Sequence, residues 1–144
     1  MTQRFRINGR LMGRNEHDYL NRSHWSKGKK AKAAEQAKVE RAIERAGIVP
    51  IEGPVEVGVT YVEGHKPNGA LRDVDNIAGG GDKVILDALR SCGIIPDDNP
   101  RVVRNVYHRF AFNASNPHVE VEVMEYRPEG RTVYYPPIQG LERS

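Results

Sequence analysis

Between Arg72 and Asp98 the chain reads RDVDNIAGGGDKVILDALRSCGIIPDD, and most of its chemistry-bearing residues fall there. Asp73 and Asp75 are separated by one residue. In an extended segment both side chains leave the same side of the backbone, so the two carboxylates would converge on one hard cation, with Asn76 closing the cluster. Lys83 and Asp87 stand one helical turn apart, and Asp97 and Asp98 follow Cys92-Gly93, where a helix should end. Mg²⁺ and similar cations prefer oxygen ligands and are usually held by one or two carboxylates together with substrate phosphates. Asp73, Asp75 and Asp98 supply such groups. A pair of such ions roughly 3.5 to 4 Å apart activates water and stabilises the departing oxygen in phosphodiester hydrolysis. Lys83 is placed to steady charge on the phosphate.

Plainer readings exist for each part. Asp is a favoured turn and N-cap residue, so an isolated D-x-D is commonly structural. Lys83 and Asp87 can be a surface ion pair alone. The glycines before Asp82-Lys83 resemble a phosphate-cradling loop, but the G-x-x-x-x-G-K-[ST] pattern fails at Val84. The histidines at 17, 24, 65, 108 and 118 show no zinc-ligand spacing with Cys92.

The elements that must position these residues follow from periodicity. Residues 2–8 alternate and predict a first strand. Residues 9–30 are polar and basic without a period, with Tyr19 and Trp25 among Arg14, Arg22, His24 and Lys27. Such a loop suits bases and phosphates, while Trp25 before Ser26 also fits a hydrophobic staple. Residues 26–46 are strong helix formers stopped by Gly47, with Val39, Ala42, Ile43 and Ala46 as a thin apolar side. Lys27, Lys29, Lys30 and Lys32 crowd its front, as a solvated or a phosphate-contacting face. Residues 55–62 alternate as a strand half-buried in a sheet. Residues 64–71 form a loop, where His65 and Lys66 face solvent or substrate. Residues 82–92 are amphipathic, with Ile85, Leu86, Leu89 and Cys92 on one side, and the glycine run at 79–81 predicts a loop ahead of that helix. Residues 101–112 and 118–126 read as two final strands. The order is strand, helix, strand, helix, strand, strand: an α/β or α+β domain, a mixed β-sheet flanked by two helices, over residues 1–126, with an irregular tail at 127–144.

Composition narrows the class. The chain has 144 residues, 38% hydrophobic and 28% charged, with a net charge of +3. Its mean hydropathy of −0.63 and the lack of a long apolar run argue against a membrane partner, and no secretory signal pattern opens it, so the expected compartment is cytoplasmic. One cysteine excludes an internal disulfide framework, and Cys92 reads as a core residue rather than a nucleophile. An acidic centre between basic flanks suits an enzyme that binds a polyanion and holds divalent cations where it works.

Taken together, RDVDN (Asp73, Asp75, Asn76), KVILDAL (Lys83, Asp87, Ala88, Leu89), Gly93 and Asp97-Asp98 resemble the RusA family of Holliday junction resolvases, small homodimeric Mg²⁺-dependent endonucleases. The resemblance spans roughly Asn15 to Tyr126 and is specific in this central stretch. The segment IAGGGD is about four residues longer than the family spacing, so matching the lysine assumes a gap. The resemblance implies that Asp73, Asp75 and Asp98 bind Mg²⁺ or Mn²⁺, that Lys83 assists catalysis, and that Asp97 is a neighbour of the site. It implies a crossover junction endodeoxyribonuclease of recombination and repair that cuts four-way or branched DNA as a homodimer. Arg22, His24, Lys27, Lys29, Lys30 and Arg72 are the expected DNA contacts. The rival expectation is a non-catalytic nucleic-acid-binding protein of the same fold. A D-x-D glycosyltransferase would need a nucleotide-sugar domain that 144 residues scarcely provide.

Overall fold

The computed structural model describes residues 1–23, 25–64 and 70–128. His24, the loop residues His65 and Lys66, and the tail beyond Pro128 therefore lie outside the described residues, as does the side chain of Trp25. Among the described residues four strands form one mixed sheet in the order β1-β4-β2-β3: β1 (Thr2–Asn8), β2 (Val55–Glu63), β3 (Val103–Phe112) and β4 (His118–Glu125). β4 runs antiparallel to both β1 and β2, while β2 and β3 are parallel. The alternation seen in the sequence sets this register. Val119, Val121 and Val123 are fully buried and stand opposite Tyr61, Val59 and Val57 of β2 on one side and Ile7, Phe5 and Gln3 of β1 on the other. Every residue of β2 is buried, so the expectation of a strand with one buried face is corrected: both faces of this central strand are covered.

Among the described residues three helices accompany the sheet: α1 (Arg14–Ser23), α2 (Trp25–Arg45) and α3 (Val74–Ser91). The α+β class and the mixed sheet agree with the sequence. α2 buries Val39, Ala42 and Ile43 as its spacing predicts, but it ends at Arg45 and Ala46, expected on the same side, is exposed. Two expectations about where helices form are also corrected. The stretch after β1 contains a third helix, α1, where no period was visible. More consequentially, α3 begins at Val74 and runs unbroken through Gly79-Gly80-Gly81, so the glycine run is not a loop.

Three helical glycines each cost about 1 kcal/mol relative to alanine, so something must require them. The requirement is contact. A Cβ at Gly80 would collide with the Met12 carbonyl oxygen and come within 2.5 Å of the Gly13 carbonyl carbon, and one at Gly81 would meet the Tyr61 ring at 2.5 Å. The middle of α3 thus lies directly on the backbone leading into α1 and on a β2 side chain. Ile77, Val84, Ile85, Ala88 and Leu89 extend that buried side. Gly93, at φ 73°, then ends the helix, with the Ile94 N–H returning to the Leu89 carbonyl. No helix among the described residues is long and apolar enough to cross a membrane.

Candidate functional site

The start of α3 presents two exposed carboxylates. Asp73 is the N-cap residue, with extended backbone (φ −69°, ψ 150°), and Asp75 lies in the first turn. They are therefore not alternate residues of an extended segment. An N-cap aspartate ordinarily accepts a hydrogen bond from the first-turn N–H groups, yet the Asp73 side chain makes none. Its backbone carbonyl is engaged by the Ile77 N–H at 3.1 Å. Asn76 turns inward instead, its Oδ1 accepting the Asn15 N–H at 2.9 Å and tying α3 to α1.

Arg72, expected to meet DNA, is buried. Its side chain is 3% exposed and donates to Glu63 Oε1 from Nε at 2.7 Å and Nη2 at 2.6 Å, with Glu16 3.3 Å from Nη1. Held this way, it anchors the approach to α3 against the end of β2 and cannot reach a phosphate. Arg22, Lys27, Lys29 and Lys30 are exposed on α1 and α2.

The unbroken helix also separates residues that the sequence suggested would meet. Lys83 lies eight positions past Asp75, about 12 Å along the axis at 1.5 Å per residue. It hydrogen-bonds Asp87 at 3.1 Å, one turn further from the two aspartates, and is 67% exposed. Both belong to a cavity of about 100 Å³ shared with His17, Lys32 and Glu35. Burial pushes the Glu35 carboxyl above its ordinary value, although both its oxygens accept the Met12 N–H at 2.9 and 3.1 Å. Asp98 sits beyond the other end of α3. The Arg90 guanidinium reaches Asp97 and Asp98, each at 3.8 Å, and Arg90 itself lies roughly 22 Å along the axis from Asp75. Asp97 organises its own turn by accepting from the Asp98 N–H at 2.8 Å and the Asn99 amide at 3.0 Å, and the first of these bonds holds its carboxyl below the usual range. Among the described residues no group of three or more His, Cys, Asp or Glu stands together as a metal-ion site. Within one chain, Asp73 and Asp75 share a helix end and Asp98 does not join them.

A cluster the sequence did not reveal sits midway along α3. The Tyr61 hydroxyl donates to Asp82 Oδ1 at 2.6 Å, and His108 Nε2 lies 2.6 Å from Asp82 Oδ2. Burial, reinforced by the neighbouring Asp82 carboxylate, pushes the Tyr61 phenol far above its ordinary range, so it stays a donor. The rings of Tyr61, His108 and Phe110 are nearly parallel, with centroids 5.8 to 6.4 Å apart. No local signal could have found this arrangement, because its members come from β2, α3 and β3. Cys92 packs against the core, and burial raises its thiol, which disfavours the thiolate a nucleophile needs. The chain matches no protein-family model and no curated protein.

Proposed function

We propose that this chain is a metal-dependent endodeoxyribonuclease acting on four-way or otherwise branched DNA as a homodimer. The observation that carries the reading is the exposed pair of carboxylates at the start of α3: Asp73 at an N-cap but not capping, and Asp75 beside it. Mg²⁺ or Mn²⁺ bound through one or two carboxylates and substrate phosphates needs no larger protein cage, so this pair fits the cation while the trio with Asp98 does not. Bound there, the ion would lower the pKa of a water and offset charge on the phosphate.

The rest of the work falls to the chain itself. Exposed Arg22, Lys27 and Lys30 offer cations to phosphates. The buried Arg72–Glu63 pair fixes the backbone from which Asp73 projects. Two copies related by a two-fold axis would match the near two-fold symmetry of a junction, one site for each of two opposed strands.

A second reading, a non-catalytic DNA-binding protein of the same fold, draws on the engagement of Lys83 by Asp87 and the remoteness of Asp98. Cleavage of a mobile four-way junction with Mg²⁺, compared with EDTA and with linear duplex, separates the two. Mg²⁺-dependent cutting that prefers the junction supports the nuclease. Tight binding without cutting supports the second reading. Asp98→Asn refines the first: retained cutting means the pair at the start of α3 suffices, and lost cutting means a third carboxylate arrives from a second copy of the chain.

A further inference from the structure

We infer that Arg14 grips the DNA phosphate that lies against Asp73 and Asp75, supplying the positive charge that Lys83 is too far away to give. This rests on the DNA reading and adds to it a residue of α1 that was not among the expected DNA contacts. Asp75 and Gly79 are four residues apart in α3 and so share one face of the helix, about 6 Å apart along its axis. The Arg14 side chain lies across that face. From the point where a Gly79 Cβ would stand, its Cβ and Cδ are each 3.3 Å away and its Cγ 3.8 Å. The stem therefore runs along α3 one turn from Asp75, and the guanidinium starts at the next atom beyond Cδ.

Three observations set Arg14 apart from the other exposed cations. Its backbone is seated on α3, because the Asn15 N–H donates to Asn76 Oδ1 at 2.9 Å and the Met12 carbonyl packs on Gly80. Residue 14 is thus held in register with the two carboxylates, and the end of its side chain is what can move. Its guanidinium has no ion pair or hydrogen bond among the described residues, whereas Arg10 is held by Glu16, Arg72 by Glu63 and Lys83 by Asp87. Gly79 supplies the third. Gly80 and Gly81 are required by the Met12–Gly13 backbone and the Tyr61 ring, but the atoms nearest a Gly79 Cβ all belong to Arg14. A glycine there destabilises the helix, and what it provides is room for the arginine stem. An exposed guanidinium offers a planar fork of N–H donors that matches two phosphate oxygens. Two carboxylates alone would repel a phosphate, and a cation fixed one turn away offsets that repulsion.

The test measures binding of the full chain to a four-way junction in EDTA across a salt series, and then cleavage with Mg²⁺. Arg14→Ala should weaken binding about tenfold and lower the slope of log affinity against log salt by about one, as loss of a single phosphate contact does. Cleavage at saturating junction should fall about a hundredfold. Arg14→Lys should restore the slope but only part of the rate, because an ammonium keeps the charge and loses the fork, and that recovery excludes unfolding as the cause. Gly79→Ala is the sharper variant. It should keep stability yet weaken binding several-fold by displacing the stem, and adding it to Arg14→Ala should weaken binding no further. Unchanged affinity and slope in Arg14→Ala overturn the inference, as does an additive loss in the double variant. A wild-type chain that binds the junction without cutting it, with the slope reduced in Arg14→Ala, overturns the nuclease reading and leaves the phosphate contact standing. No wild-type binding to the junction overturns both proposals together.

Discussion

The two sides of α3 are built to different tolerances. On the inner side, Gly80 and Gly81 lie so close to the Met12–Gly13 backbone and the Tyr61 ring that a single methyl group cannot enter, and Ile85, Ala88 and Leu89 are wholly buried. On the outer side, Asp73 and Asp75 are exposed, and Lys83 pairs with the neighbour one turn along its own helix. The inner side determines where the helix lies and along which line it runs. The outer side carries the groups with chemical potential but constrains nothing. Position is thus specified by residues that have no chemistry, and the candidate chemistry occupies positions where substitution leaves the fold alone.

The sharpest way to break this contrast is Gly80→Ala. In an open helix that change gains about 1 kcal/mol. Here the new methyl meets backbone, which cannot rotate away, so the overpacked helix should lose about 3 kcal/mol instead. Denaturant unfolding measures it, and a stabilised Gly80→Ala would mean that the seam is not closed.

That sign reversal also explains what could be read from the sequence. Strands were legible because period-two alternation reports burial directly: Val119, Val121 and Val123 point inward in β4 as their spacing requires. Helix α2 was legible from propensity and its stop at Gly47. The start of α3 was not, because intrinsic propensity counts glycine as a breaker, whereas the deciding term was contact with a segment more than sixty residues earlier in the chain. Reading Asp73 and Asp75 as extended followed from that same error. Helix α1 was missed because RNEHDYLNRS offers few apolar residues to set a period, and α1 is held in part by polar contact, the Asn15 N–H to Asn76. Of the candidate site, the residue types at the start of α3 were visible. The Tyr61–Asp82–His108 cluster, assembled from three elements, was not.

The cavity beside Lys83 offers a subtler test, through Glu35. A carboxyl whose folded value is raised binds its proton more tightly in the folded state, so its contribution is complete below the unfolded value of 4.5 and is lost as pH rises through the folded value. Wild-type Tm should therefore fall as pH rises from 4.5 toward neutrality, and Glu35→Gln should flatten that part of the profile. An identical profile in the variant would mean that Glu35 is solvated like an outer-side residue.

At Asp73 and Asp75 the contrast predicts a separation of effects. Either residue changed to Asn should alter stability by no more than about 0.5 kcal/mol, as exposed positions do. Junction cleavage should nevertheless disappear, with binding kept or tightened because a negative charge facing phosphates is removed. A large loss of stability would place these carboxylates among the groups that hold the fold, and full Mg²⁺-dependent cutting would remove them from the chemistry.

The smallest effect is expected at Gly79, where the two sides of the helix meet. A Cβ there would lie 3.3 Å from Arg14 Cβ and Cδ, closer than relaxed packing but against a side chain rather than the backbone that confronts Gly80. Arg14 is exposed and its Cδ can swing outward, whereas its Cβ moves only if α1 shifts slightly. The gain from replacing a helical glycine, about 0.5 to 1 kcal/mol, is therefore partly offset and not reversed. Gly79→Ala should leave stability equal or higher by a few tenths of a kcal/mol, and Gly79→Ala combined with Arg14→Ala should recover only the part of the helical gain lost to Arg14 Cδ, because alanine keeps the Cβ. If Gly79→Ala instead destabilises as much as Gly80→Ala, α1 is as rigidly seated as the Met12–Gly13 backbone, and the boundary between the closed and open sides of α3 lies one residue further out than the packing indicates.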